Sequence, residues 1–159
     1  MRTATPLIAL AAGLACAWAL QPAQARKDKD PAPEATVTTL ESAEHRRTPS
    51  DKAGILTLAR GQNAFVGRLD LAAGGAVPEH ADPTEEYIHV LQGAGVITID
   101  GVERPLGPGS TVYMPAGATV SYANGDAPLV AIQVFAGPES ADKYAAWPVS
   151  EAPPKVPLP

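Results

Sequence analysis

From Ile55 to Phe135 the chain never holds an apolar pattern for long. Short runs are cut at close intervals by Gly74-Gly75, Gly93, Asp100-Gly101, Gly107-Pro108-Gly109 and Pro115-Ala116-Gly117. Punctuation this dense leaves no room for a long helix and calls for short strands joined by tight turns, an all-β sandwich or barrel. Phe65 to Leu71 alternates, with Phe65, Leu69 and Leu71 on one face and Val66, Arg68 and Asp70 on the other, which predicts a half-buried strand. Val96 to Ile99 and Val102 to Leu106 flank Asp100-Gly101, a two-residue hairpin signal. Ile55 to Leu58, Thr111 to Met114 and Ala118 to Tyr122 read as further strands. Leu129 to Phe135 is apolar on both faces, as expected of a strand buried inside the fold.

The chemistry concentrates in GGAVPEHADPTEEYIHVLQG, Gly74 to Gly93. His80 and Asp82 are two residues apart, so an extended chain points both to one face. Glu86 shares its face with Ile88 and Val90, while Glu85, Tyr87 and His89 take the opposite face. One imidazole and two carboxylates can therefore converge inside a small β-structure.

This stretch resembles the first signature of the cupin family, G-x5-H-x-H-x3,4-E-x6-G, through Gly74, His80, Glu86 and Gly93, with Asp82 standing at the second histidine. GSTVYMPAGATVSYAN resembles the second signature, G-x5-P-x-G-x2-H-x3-N, through Gly109, Pro115, Gly117 and Asn124, with Val120 at its histidine. The resemblance implies a double-stranded β-helix, or jelly roll, and a metal site held in the family by three histidines and a glutamate. Here it implies His80, Asp82 and Glu86 as the remaining metal ligands. Replacing nitrogen by oxygen shifts preference toward harder ions such as Mn²⁺, Mg²⁺ or Ca²⁺. No cofactor is certain on this reading, and Mn, Fe, Zn and Ni are the divalent metals to test. A metal-free alternative uses His80 and Glu86 as an acid–base pair for isomerase, lyase or related steps, and a dioxygenase-like activity is a further family option. A third pairs His80 with Asp82 by a hydrogen bond and leaves Glu86 solvated.

Two further residues belong to the inward-facing set. Tyr122 follows Val120 by two positions and shares its face, suited to stacking on a ligand. Gln133 is the polar exception in an apolar strand, with Ala131 and Phe135 on its own face, and a buried amide needs a partner: ligand, water or Glu86. The resemblance implies that Asn124, matching the family's asparagine position, supports turn geometry. His89 and Tyr87 fall outside the pocket. The polar stretch Ser42 to Lys52, with His45, Arg46 and Arg47, reads as a solvated loop, and Val37 to Thr39 as a first strand.

The chain ends frame this domain. MRTATPLIALAAGLACAWALQPAQA has a basic start, an apolar run from Leu7 to Leu20 and the A-x-A ending Ala23-Gln24-Ala25, the pattern of a signal peptide cleaved after residue 25. The run is shorter than the roughly 20 residues of a membrane span, so no stable span is expected in the mature chain. Cys16, the only cysteine, would leave with the signal, excluding disulfides and Cys-ligated zinc from the mature protein. Gly13-Leu14-Ala15 lacks the leucine that usually marks lipid attachment to such a cysteine. Against 17 Asp and Glu the mature chain would carry 11 Lys and Arg instead of 12, an acidic balance without a basic cluster, which argues against nucleic acid as partner. Residues 26–34 read as a flexible lead-in, 35–137 as the β-barrel with its signature core at 69–136, and 138–159 as an extension with a short helix over Ser140 to Ala146, Trp147 packed on the barrel and a proline-rich extended tail. The expectation is an exported, periplasmic or secreted, small-molecule-binding cupin, with an enzyme or a bare scaffold as the competing readings and a homodimer paired through edge strands as the expected assembly.

Overall fold

The computed structural model describes residues 34–152. The segment expected to be a signal peptide, nearly all of the expected lead-in and the last residues of the tail lie outside them. The described part is all-β apart from one short helix, in the order β1 (Glu44–Arg47), β2 (Ala53–Arg60), β3 (Phe65–Leu71), β4 (Ala76–His80), β5 (Glu85–Gln92), β6 (Gly95–Ile99), β7 (Val102–Leu106), β8 (Thr111–Met114), β9 (Val120–Asn124), β10 (Leu129–Ala136) and a 3₁₀ helix at Pro138–Ala146. Two antiparallel sheets result, one ordered β1-β2-β3-β10-β5-β8 and the other β4-β9-β6-β7. Among the described residues no helix is long and apolar enough to cross a membrane.

The local signals act as expected where they are strongest. Asp100 and Gly101 take φ of 49° and 77°, both left-handed, so the two-residue loop follows the twist of β6 and β7. β10 lies between β3 and β5 with Val130, Ala131 and Phe135 fully buried, the environment its sequence, apolar on both faces apart from Gln133, requires. Leu71, Val90, Val112 and Met114 of the first sheet pack with Ile97, Val120 and Tyr122 of the second to form the main core. A second cluster joins Ile55, Phe65 and Phe135 to Ala141 and Tyr144 of the helix, with Trp147 against it. Asn124 donates to the carbonyls of Ala72 and Ala127, pinning the turns around β9.

Three expectations are corrected. Val37 to Thr39 is not a strand: Val37 is 95 % exposed, and Thr39 instead closes a turn with Ser42 through paired side-chain and backbone bonds. The edge position belongs to β1, so His45 and Arg47 are buried rather than in a solvated loop. Finally, β3 is covered on both faces, with Arg68 and Asp70 each only 1 % exposed. One device links the last two: Arg47 and Asp70 both pair across Gly54, and the Arg47 guanidinium reaches Asp70 at 3.0 Å over that glycine. A Cβ on Gly54 would stand 2.5 Å from the guanidinium and 2.7 Å from the carboxylate, so the missing side chain makes room for the ion pair. The extended tail lies on the outer edge of β1, where Arg47 donates to Pro148 and Ser150 to His45 through backbone bonds of 3.0 and 2.8 Å.

Candidate functional site

Pro78 starts the site by what it lacks. Without an N–H it cannot continue the ladder, and the pairing of β4 with β9 shifts register between Val77 and His80. His80 Nδ1 bonds the released Pro78 carbonyl at 2.9 Å, which requires a proton on Nδ1 and turns Nε2 toward Asp82 Oδ2 at 3.5 Å. Asp82 lies in the loop before β5, and its backbone carbonyl accepts from Gly117 at 2.8 Å. Glu86 enters from β5 on the inward face shared with Ile88 and Val90, while Tyr87 and His89 point outward as their alternation predicts.

Across the sheet Glu86 pairs with Phe135 on one side and Met114 on the other, and is 6 % exposed. Its partner is Gln133, one step diagonally away on β10, whose Nε2 donates to Glu86 Oε1 at 2.6 Å. The other end of that amide accepts the Tyr144 hydroxyl at 2.6 Å. Burial pushes the Glu86 carboxyl up, partly opposed by the Gln133 bond and the nearby Lys143 charge. Burial also pushes the Tyr144 phenol far up, so it stays protonated and donates to Gln133.

A second, charged chain runs beside this one. Lys143 Nζ bonds both oxygens of Asp82, at 2.9 and 2.7 Å, and lies 4.8 Å from the centroid of the Phe135 ring. Burial would raise Asp82, but the bonds from His80 and Lys143 outweigh it and hold the carboxyl below its usual range. His80 is raised, chiefly by its bond to Asp82 and against its own partial burial. Lys143 and Tyr144 come from the 3₁₀ helix, fastened to the barrel by a 2.6 Å bond between the hydroxyls of Thr84 and Ser140. Neither residue is foreseen by the spacing of the barrel strands. The one sequence signal toward them is the demand of buried Gln133 for a partner, together with a helix expected to pack over the barrel.

His80, Asp82 and Glu86 are thus brought together, each offering a donor atom within 4.8 Å of the others, a His/Asp/Glu cluster of the kind that can hold a metal ion. The set does not fit a bound divalent ion well as it stands: both Asp82 oxygens are engaged by an ammonium, Glu86 is tied to Gln133, and the position paired with His80 on β9 is Val120. Beside the polar cluster is a cavity of about 440 Å³, lined mainly by apolar side chains including Leu71, Val90, Ile97, Leu129 and the ring of Tyr122, with His80, Glu86, Gln133 and Lys143 among its polar lining residues. The Tyr122 hydroxyl bonds Asn124 at 3.3 Å, so it is the ring that faces the cavity.

The model of the cupin domain matches residues 67–135. An uncharacterized protein of Streptomyces coelicolor is 31 % identical over 101 residues, covering 64 % of this chain and 95 % of the relative. Among solved structures, an RmlC-like cupin from Shewanella frigidimarina superposes with a TM-score of 0.60 at 15 % identity, over 65 % of this chain and 92 % of its own. The polyketide cyclase RemF from Streptomyces resistomycificus gives 0.56 at 17 % identity, over 64 % and 79 %. A sugar phosphate isomerase of the cupin superfamily from Silicibacter pomeroyi gives 0.53 at 23 % identity, over 64 % and 75 %. At these identities the solved structures speak to the fold alone. With the domain model spanning β3 to β10 and a relative matched over almost its whole length, this chain belongs to the cupin family.

Proposed function

We propose that this cupin binds a small, largely apolar molecule inside its barrel, with one polar group of that molecule turned toward His80, Glu86 and Lys143. The observation that carries this reading is the cavity of about 440 Å³ whose mainly apolar lining includes the polar cluster of His80, Glu86, Gln133 and Lys143. Its size lies within the roughly 300–1,000 Å³ of small-molecule sites, and a mainly apolar lining with a few polar groups is how such sites fix orientation. Tyr122 contributes a flat wall for stacking. Gln133 has both ends of its amide engaged by Glu86 and Tyr144, so it orients Glu86 more than it contacts the ligand. The signal pattern ending at Ala25 supports a site of action outside the cytoplasm, checked by fractionating cells that express the full chain.

Val120→Phe tests the cavity. The ring would enter the cavity from β9, where Val120 lines the wall. With 1-anilinonaphthalene-8-sulfonate as an apolar anionic probe, the purified wild-type chain should bind at one saturable site and the variant should lose that binding. Melting of the variant should stay within a few degrees of wild type, about 1 kcal/mol, because the ring fills space. No saturable binding by the wild type, or equal binding by the variant, would remove the reading.

Acid–base catalysis on the bound molecule is the second reading, and one observation favours it: a carboxyl raised by burial and an imidazole raised by a carboxylate both line the cavity. Once a ligand is identified by native mass spectrometry, its chemical turnover by wild type and by Glu86→Gln decides this. Turnover abolished by Glu86→Gln supports catalysis, and unchanged ligand in both leaves a binding protein.

A further inference from the structure

We infer that Lys143 is the resident cation of this site: its ammonium stands in for a divalent ion among His80, Asp82 and Glu86, and removing it turns the cluster into a metal site. The inference is independent of what fills the cavity.

The geometry starts with the donors. Three ligand atoms within 4.8 Å of one another are spaced for a shared ion, since metal–ligand bonds run at about 2.0–2.6 Å. Lys143 already supplies positive charge there, with 2.9 and 2.7 Å bonds to the two Asp82 oxygens. Those are the oxygens a metal would need.

Lys143 is also held where it is. Its stem leaves the 3₁₀ helix beside Tyr144, which is buried, and the ammonium lies 4.8 Å from the Phe135 centroid and 5.7 Å from that of Tyr144. Those two aromatic rings attract the cation in addition to the Asp82 carboxylate. The Thr84–Ser140 bond fixes the helix to the loop that carries Asp82. A divalent ion bound to Asp82 would therefore meet a tethered like charge within bonding distance of both carboxylate oxygens. Val120 beside His80 agrees with this arrangement: one potential ligand is absent where one cation is built in.

The test uses metal alone. The untagged full chain, its Lys143→Met variant, and Lys143→Met combined with Glu86→Gln are each titrated calorimetrically with Zn²⁺, Mn²⁺ and Ni²⁺ and analysed for bound metal after dialysis. Wild type should retain well under one ion per chain. Lys143→Met should take up one ion, with affinity at least about tenfold higher for one of the three metals, and the added Glu86→Gln should reverse the gain. Lys143→Arg, which keeps the charge, should behave as wild type. Lys143→Gln is measured alongside, so misfolding of the methionine variant does not end the experiment. Wild type retaining a full ion at His80, Asp82 and Glu86, or a folded neutral variant that gains no affinity, overturns the inference. Either result leaves the cavity reading intact, because that rests on the organic probe and Val120→Phe.

Discussion

Gln133 joins two buried groups that would otherwise be costly, accepting from Tyr144 and donating to Glu86, both at 2.6 Å. Replacing it by leucine keeps the volume and leaves a buried hydroxyl and a buried carboxyl without that partner. Gln133→Leu should therefore lose roughly 2–3 kcal/mol, read from the urea midpoint. A loss below about 0.5 kcal/mol would mean that water already serves these groups. His80 offers a second check at the same scale. Its pKa is raised chiefly by Asp82, so Asp82→Asn should bring the imidazole down toward its ordinary 6.5 in an NMR titration. An unchanged titration would mean that the His80–Asp82 contact of 3.5 Å does not hold in solution.

At the scale of elements, β1 shows how a polar segment becomes structural. Glu44 to Arg47 has no apolar periodicity, yet its pairing with β2 sets Arg47 over Gly54 and against Asp70. Asp70→Ala removes the buried partner of a guanidinium and should destabilise by about 3–5 kcal/mol, whereas an exposed pair such as Arg60–Asp142 should contribute less than about 1 kcal/mol when broken. Thermal unfolding of Asp70→Ala and Asp142→Ala separates these cases, and equal losses would refute the distinction. The same element marks where the sequence stops being informative. β3, β5, β6, β7 and β10 announce themselves because alternation and Gly or Asp-Gly turns are local facts about the chain. His80, Asp82 and Glu86 can be read for the same reason, being close in sequence. β1 and Lys143 depend on partners far along the chain, Arg47 on Asp70 and Lys143 on Asp82, and no pattern within either segment names its partner.

At the scale of the whole molecule, a mainly apolar cavity is lined on part of its surface by groups whose protonation couples them to stability. Glu86 is met by Gln133, Lys143, Asp82, His80 and Tyr144, and burial leads these influences to raise its pKa in the folded state above the usual 4.5. For a raised carboxyl the favourable contribution is complete below the unfolded pKa and is lost as pH rises through the folded one. His80 is raised above 6.5 and has the same sign, losing its contribution as pH rises through its own folded value. Asp82 is lowered below 3.8 and has the opposite sign, its contribution being lost only as pH falls through that low value. The cluster should therefore be most stabilising in mildly acid solution and progressively less so toward neutral and alkaline pH. Glu86→Gln isolates the largest buried part of this, since the contributions of His80 and Asp82 remain largely common to both proteins. Urea unfolding at about pH 5 and about pH 8 should show wild type losing stability relative to Glu86→Gln as pH rises. The reverse trend would show that Lys143 and His80 stabilise an ionised Glu86 strongly enough to overcome its burial. The polar part of the cavity lining would then have to be described as a carboxylate pair around one ammonium, with correspondingly greater attraction for any cation that displaced it.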